Sequence, residues 1–203
     1  MDNVETTAKG LSNSMTARAI FIDKDGTLIE DEPYNVDPAM IRLAPHAGPA
    51  LRSLSKQGYA LFVITNQSGV ANGLFSESAL GLVEAKIRSL LAEHEVELQG
   101  FYYCPHHPDG KVSPYAIQCN CRKPMPGLLH RVADGHGVDL SQSWMIGDIL
   151  HDVEAGRRAG CRTVLIDNGN ETEWRLSILR LPHLVAPDLG VAARAISQVD
   201  GVP

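Results

Sequence analysis

Two short stretches concentrate the residue types that do chemistry. One is Asp23-Lys24-Asp25-Gly26-Thr27, which ends the apolar run Ala19-Ile20-Phe21-Ile22. The other is a pair, Cys104-Pro105-His106-His107 and Cys119-Asn120-Cys121-Arg122-Lys123. The acid pair has three readings. A solvated turn explains the Asp and Gly but not the buried strand before them. A calcium-binding loop needs Gly at its sixth place and Glu at its twelfth. Counted from Asp23, those places hold Leu28 and Tyr34, so that pattern fails. The third reading is covalent phosphoryl transfer. One carboxylate attacks phosphorus and forms an aspartyl-phosphate, splitting a hard step into two. The other, two residues on, protonates the leaving oxygen and later takes a proton from water. A divalent cation offsets the repulsion between an anionic nucleophile and an anionic substrate.

The second stretch supplies three thiols and an imidazole. Zinc takes four such ligands tetrahedrally, and a closed set of four is structural because it leaves no place for a catalytic water. The C-x-H and C-x-C spacings are tighter than those of a standard finger. His107 competes with His106 as the nitrogen ligand, and three incidental reduced thiols are the alternative to a metal site. The fourth cysteine, Cys161, opens an apolar run and reads as a core thiol.

Residues placed this way need a frame that aims them. Five short, nearly all-apolar runs read as strands covered on both faces: Ala19–Ile22, Ala60–Thr65, Gly100–Cys104, Ser143–Gly147 and Arg162–Ile166. Helical patterns lie between them, at Ala47–Gln57, Ser76–His94, Gly127–His136 and Ile149–Ala159. The alternation predicts a doubly wound α/β fold with a parallel sheet and helices on both faces. Ligands then bind beyond the carboxyl ends of the strands, at the switch point. The polar residues there are Asp23 and Asp25, then Thr65-Asn66-Gln67, then Asp148. The stretch 104–126 has neither period, and a loop that long is functional or held together by something.

These features in this order resemble the haloacid-dehalogenase-like hydrolases. The resemblance spans residues 19–170, with D-x-D-G-T, a strand ending on Thr65, the "CRKP" lysine, and "GDILHD" with Asp148 and Asp152. It implies strand order 3-2-1-4-5. It also implies Asp23 as nucleophile, Asp25 as acid/base, and Thr65 and Lys123 on the phosphoryl oxygens. Asp23, Asp25 (through its carbonyl) and Asp148 would hold Mg²⁺, with Asp152 supporting them. "TNQSGVANG" and "CPHHPDG…CNCRKP" look like the D-glycero-D-manno-heptose-1,7-bisphosphate 7-phosphatases and their histidinol-phosphatase relatives. That family implies Cys104, His106, Cys119 and Cys121 as Zn²⁺ ligands and a zinc loop, 104–126, in place of a large cap domain. It implies Arg122 for substrate recognition, with Asp31, Tyr34, Asn66, Gln67 and Ser68 beside it. Glu32-Pro33 and Ile149 depart from the family pattern near the sugar end of the pocket.

The expected reaction is therefore removal of the 7-phosphate from a heptose bisphosphate, with a small phosphorylated sugar as substrate. Histidinol phosphate is the rival substrate. Twelve residues between His106 and Cys119 favour the longer, heptose-type loop. A rival of another class is a zinc-stabilised binding module without catalysis. The net charge of -6 on 203 residues argues against nucleic acid as its partner. Residues 17–203 read as one phosphatase domain, and the polar residues 1–16 as a disordered tail without the apolar segment of a secretory signal. No run approaches a membrane span. A cytoplasmic monomer is the resulting expectation.

Overall fold

The computed structural model of the chain describes residues 17–201, so the tail expected over 1–16 lies outside the described residues. In chain order the elements are β1 (Ala19–Ile22), α1 (Ala47–Lys56), β2 (Ala60–Asn66), α2 (Ser68–Ala71), α3 (Ala79–Ala92), β3 (Gly100–Cys104), α4 (Gly127–His136), β4 (Trp144–Gly147), α5 (Leu150–Ala159), β5 (Arg162–Ile166), β6 (Leu184–Ala186) and α6 (Leu189–Val199). All pairings are parallel, in the order β3-β2-β1-β4-β5-β6. The expected order holds for five strands, and β6 extends it by one at the β5 edge. The segment after about residue 170 was expected to pack a short strand and a helix on the sheet, and β6 and α6 are that pair; three residues are too few for a period to fix the bounds of β6.

The strands read as continuous apolar runs because both sheet faces are covered. Alternation sends Ile20 and Ile22 of β1 into one core with Leu51, Val83, Ile87 and Ile196. Ala19 and Phe21 face the other core, with Leu128, Val132 and Met145. All four β1 residues are fully buried, at roughly 1.5–3 kcal/mol for each large side chain removed from water. A strand held this firmly gives Asp23, the residue at its end, little freedom to shift.

Helix α3 starts later than the Ser76 expected from the sequence. The hydroxyls of Ser76 and Ser78 bond each other at 2.9 Å rather than capping the helix. Glu77 turns away to accept from Tyr103 Oη (3.0 Å) and Tyr115 Oη (2.6 Å). A tertiary tie to β3 and to the irregular loop thus replaces the local cap.

Asp200 closes the far end of α6. Its carboxylate accepts from Trp144 Nε1 at 3.1 Å and also meets the Tyr59 hydroxyl and the Arg162 guanidinium. Asp200→Ala leaves those donors without their shared acceptor and should lower stability by about 1–3 kcal/mol. An unchanged midpoint in urea unfolding would contradict this anchoring.

Candidate active site

Parallel pairing puts the ends of β1 and β4 side by side. Ile22 is in register with Ile146, and Asp23 N donates to Ile146 O at 2.9 Å. Asp23 and Asp148 are the first residues beyond these strands, so they emerge together at one edge. Asp152, in the first turn of α5, completes a set with them whose ligand atoms all lie within 4.8 Å of one another. The chain can approach this closely because β4 ends on Gly147, where a Cβ would overlap the Asp152 carboxylate.

Lys123 reaches this set from the irregular loop. Its ammonium lies 2.5 Å from Asp23 Oδ1 and 2.6 Å from Asp152 Oδ1, and donates to Ile64 O at 2.9 Å. Lys123 and Asp152 are 3 % and 0 % exposed. Burial alone would lower the lysine pKa, but Asp152 and Asp23 reverse this and hold it above the usual lysine range. Asn66 secures the lysine from behind: its Oδ1 accepts Lys123 N at 3.0 Å and its Nδ2 donates to Lys123 O at 3.1 Å. Asn66 was expected at the substrate. Its carboxamide is committed to the backbone of the lysine-bearing loop, and the residue also lines the cleft beside Asp25.

Asp25 has different surroundings. Its Oδ1 pairs with Lys24 Nζ at 2.9 Å, and its Oδ2 accepts Gln67 Nε2 at 3.0 Å. Gln67 Nε2 also lies 2.9 Å from Thr65 Oγ1. Burial raises the Asp25 pKa, against the opposing pull of Lys24. The two acids of the D-x-D stretch thus separate into one facing Lys123 and one facing a cleft. That cleft, of about 270 Å³, is lined by Asp25, Asp31, Tyr34, Gln67 and Ser68. Tyr34 stands at its lip, 55 % exposed, with φ at 58°. A bulky residue in the left-handed region stores strain, a feature that clusters at functional sites. Arg122 lines a second cleft, of about 360 Å³, with Lys123, His107 and His151.

Two carboxylates contact the Lys123 ammonium and that of Asp148 stands beside them, so acidic groups outnumber the base in a buried space. Burial and the neighbouring Asp23 raise Asp148 to about 6. Burial, opposed by Lys123, raises Asp152 to about 7. Such a set of hard oxygen donors suits a divalent cation such as Mg²⁺. Asp152, expected as a support, lies within this set of carboxylates, while Asp25, expected at the cation through its backbone carbonyl, has its carboxylate outside it.

The thiols converge as well. Cys104 Sγ lies 3.5 Å from Cys119 Sγ and 3.2 Å from Cys121 Sγ, and the latter two are 3.2 Å apart. His106 Nδ1 joins them at 3.4 Å from Cys121 Sγ and 3.7 Å from Cys104 Sγ. Four tetrahedral ligands at about 2.3 Å from a zinc sit roughly 3.8 Å apart, so the four fit that ion with a small expansion. His106, not His107, faces the thiols; His107 Nδ1 accepts Asp109 N at 3.2 Å. Cys161 is buried in the core cluster with Phe21 and Met145.

Three residues to which the sequence motifs gave no role touch Asp148 or its neighbour. Thr27 Oγ1 donates to Asp148 Oδ1 at 3.1 Å, Asn170 Nδ2 to Asp148 Oδ2 at 2.7 Å, and Asn168 Nδ2 to Gly26 O at 2.7 Å. Gly26 has φ +73°, and a Cβ there would overlap both Asp148 Oδ2 and Asn170 Nδ2. The strand-end rule that singled out Asp23 and Asp148 applies equally to Asp167-Asn168-Gly169-Asn170 after β5.

Lys123→Met leaves Asp152 buried without its cation and should cost about 3–5 kcal/mol of stability near pH 8. Asp152 is a raised carboxyl, so the folded state binds the extra proton and stability rises as pH falls. Part of the loss should therefore return towards pH 5. Urea unfolding at the two pH values measures both effects.

Comparison with known proteins gives the family. Residues 120–192 match the family model described as HAD-hydrolase-like. The chain is 39% identical over 177 residues to the D-glycero-beta-D-manno-heptose-1,7-bisphosphate 7-phosphatase of Salmonella typhi, covering 82% of this chain and 94% of that one. To the Escherichia coli K12 enzyme of the same name it is 38% identical, covering 82% and 93%. The structure of the D,D-heptose 1,7-bisphosphate phosphatase of B. bronchiseptica, complexed with magnesium and phosphate, matches with a TM-score of 0.73 at 29% identity, covering 90% of this chain and 99% of that one. Matched over nearly the whole length of these relatives, the chain belongs to the heptose-1,7-bisphosphate 7-phosphatase family of HAD-like phosphoric monoester hydrolases.

Proposed function

We propose that the protein removes the 7-phosphate of D-glycero-D-manno-heptose 1,7-bisphosphate through an aspartyl-phosphate. The observation that carries the chemistry is the buried pairing of Asp23 and Asp152 with Lys123, beside Asp148. The names of the relatives support the substrate.

Asp23 is the nucleophile. Lys123 holds its Oδ1 in place at the sheet edge, and on substrate binding the ammonium stabilises the charge on the transferring oxygens. The Thr65 hydroxyl, buried beside Gln67, adds a hydrogen bond to the same group. Asp25 is the acid/base: burial raises its pKa against the pull of Lys24, the direction that favours proton donation to the leaving alkoxide. The same carboxylate then takes a proton from the water that cleaves the intermediate. Asp23, Asp148 and the Asp25 carbonyl are the candidate holders of Mg²⁺, which when bound supplies the positive charge that lets two anions meet. Asp31, Tyr34, Gln67 and Ser68 on one side, and Arg122 on the other, line the clefts open to the sugar.

Cys104, His106, Cys119 and Cys121 are proposed to hold one structural zinc. The cluster fixes Cys121, and with it the adjacent Arg122 and Lys123, so it orders the loop that delivers the lysine.

Asp23→Asn should lower kcat by about 10⁴-fold or more with the fold unchanged by circular dichroism. Appreciable turnover by the purified variant would end the covalent reading. Metal analysis after dialysis should find about one zinc per chain, and none would remove the loop assignment. Rates on both anomers of the heptose bisphosphate and on histidinol phosphate test the substrate. A higher kcat/KM for histidinol phosphate would overturn it.

A further inference from the structure

We propose that Asn170, braced by Asn168, is a positioning residue for the divalent cation: it holds the Asp148 carboxylate in the metal-binding orientation against the repulsion of its acidic neighbours. The inference rests on the reading of Asp148 as a cation ligand.

The sheet order makes this possible. β5 lies beside β4, so the segment after β5 reaches back over the end of β4. It is attached at four points. Asp167 N donates to Ala186 O at 2.8 Å. Asn168 Nδ2 donates to Gly26 O at 2.7 Å, while its Oδ1 accepts Asn170 N at 3.2 Å. Asn170 Nδ2 then donates to Asp148 Oδ2 at 2.7 Å. Glu171 Oε2 accepts Leu150 N at 2.6 Å, at the start of α5. The chain of bonds from Gly26 through Asn168 and Asn170 to Asp148 joins the turn after Asp23 to the residue just beyond β4. It fixes the relation between the two acids before any cation arrives.

The need for a brace is electrostatic. Asp148 offers an oxygen within 4.8 Å of those of Asp23 and Asp152. Like charges at that distance push a free carboxylate to rotate outward. Thr27 Oγ1 and Asn170 Nδ2 each donate to one of its two oxygens and so fix its plane. A carboxamide is suited to this because it donates without carrying charge. A lysine in its place would compete with the cation. Partners of this kind, which orient a ligand without touching the metal, typically contribute about 10–100-fold in metal affinity or activity. The glycine at 26 fits the same account, since any side chain there would occupy the place where Asn170 meets Asp148.

Asn170 also lines a cleft of about 200 Å³ with His151 and Arg180, so direct substrate contact is the rival role. Mn²⁺ titration of wild type, Asn170→Ala, Asn168→Ala and Asp148→Asn, with free Mn²⁺ read by electron paramagnetic resonance, separates the two without using activity. Asn170→Ala should weaken Mn²⁺ binding by about tenfold or more. Its melting temperature without added Mg²⁺ or Mn²⁺, the zinc left in place, should stay near that of wild type. In turnover, more Mg²⁺ should restore kcat, with KM for the phosphate ester unchanged. Asn168→Ala removes the brace without touching Asp148. It should weaken Mn²⁺ in the same direction to a smaller degree, and it carries the test if Asn170→Ala does not fold. Wild-type Mn²⁺ affinity in Asn170→Ala, with a raised KM, would overturn the proposal in favour of substrate contact. Asp148→Asn is the control: loss of Mn²⁺ binding there and not in Asn170→Ala defeats this inference alone. Unchanged binding in Asp148→Asn defeats the reading of Asp148 as well.

Discussion

The ammonium of Lys123, buried between Asp23 and Asp152, is the interaction on which the site depends. Burying three charges carries a large desolvation cost, offset only when the geometry is close and the remaining donor is satisfied. Both conditions hold: two carboxylates lie within 2.6 Å, and the lysine also donates to Ile64 O. The requirement spreads outward. Lys123 sits on a long irregular segment, so that segment must be held where a helix or strand is not available to hold it. Asn66 clamps the Lys123 backbone, Glu77 anchors Tyr115, and three thiols and one imidazole gather at its base. The cluster of zinc-type ligands and the catalytic-type lysine are two ends of one positioning problem.

The pair of acids in D-x-D shows how environment divides labour between equal groups. Asp23 and Asp25 are identical in chemistry and two residues apart. Asp23 meets the Lys123 ammonium at the sheet edge. Asp25 meets Lys24 and Gln67 in a desolvated cleft that pushes its pKa up. Neighbouring carboxyls whose surroundings differ in this way can take different roles in acid/base chemistry.

Much of this was legible in the sequence. Runs of apolar residues at Ala19–Ile22, Gly100–Cys104 and Arg162–Ile166 coincide with β1, β3 and β5, because runs of four or five apolar, aromatic and β-branched residues are too short for a helix. The Cys and His spacing pointed to the cluster that forms; spacing left His106 and His107 both open, the family resemblance named His106, and His106 is the one that faces the thiols. Glu77, Asn66, Asn168 and Asn170 were not legible in their observed roles. Each acts through a hydrogen bond to a residue far away in sequence. Glu77 and Asn66 also sit where a local rule suggests another use, a helix cap for one and a substrate contact for the other.

The sequence by itself determined which residues could react, and the order in which strands and helices would present them. That comes from local constraints: hydrophobic period, strand-end position, and the few residue types able to attack phosphorus or bind soft metals. Only the tertiary structure decided which carboxylates meet Lys123, how closely Asp152 approaches Asp23 and Asp148, and that a segment after β5 hydrogen-bonds Asp148. Those outcomes depend on distances between strands remote in the chain. Packing of the sheet sets those distances, and neither residue type nor spacing encodes them locally.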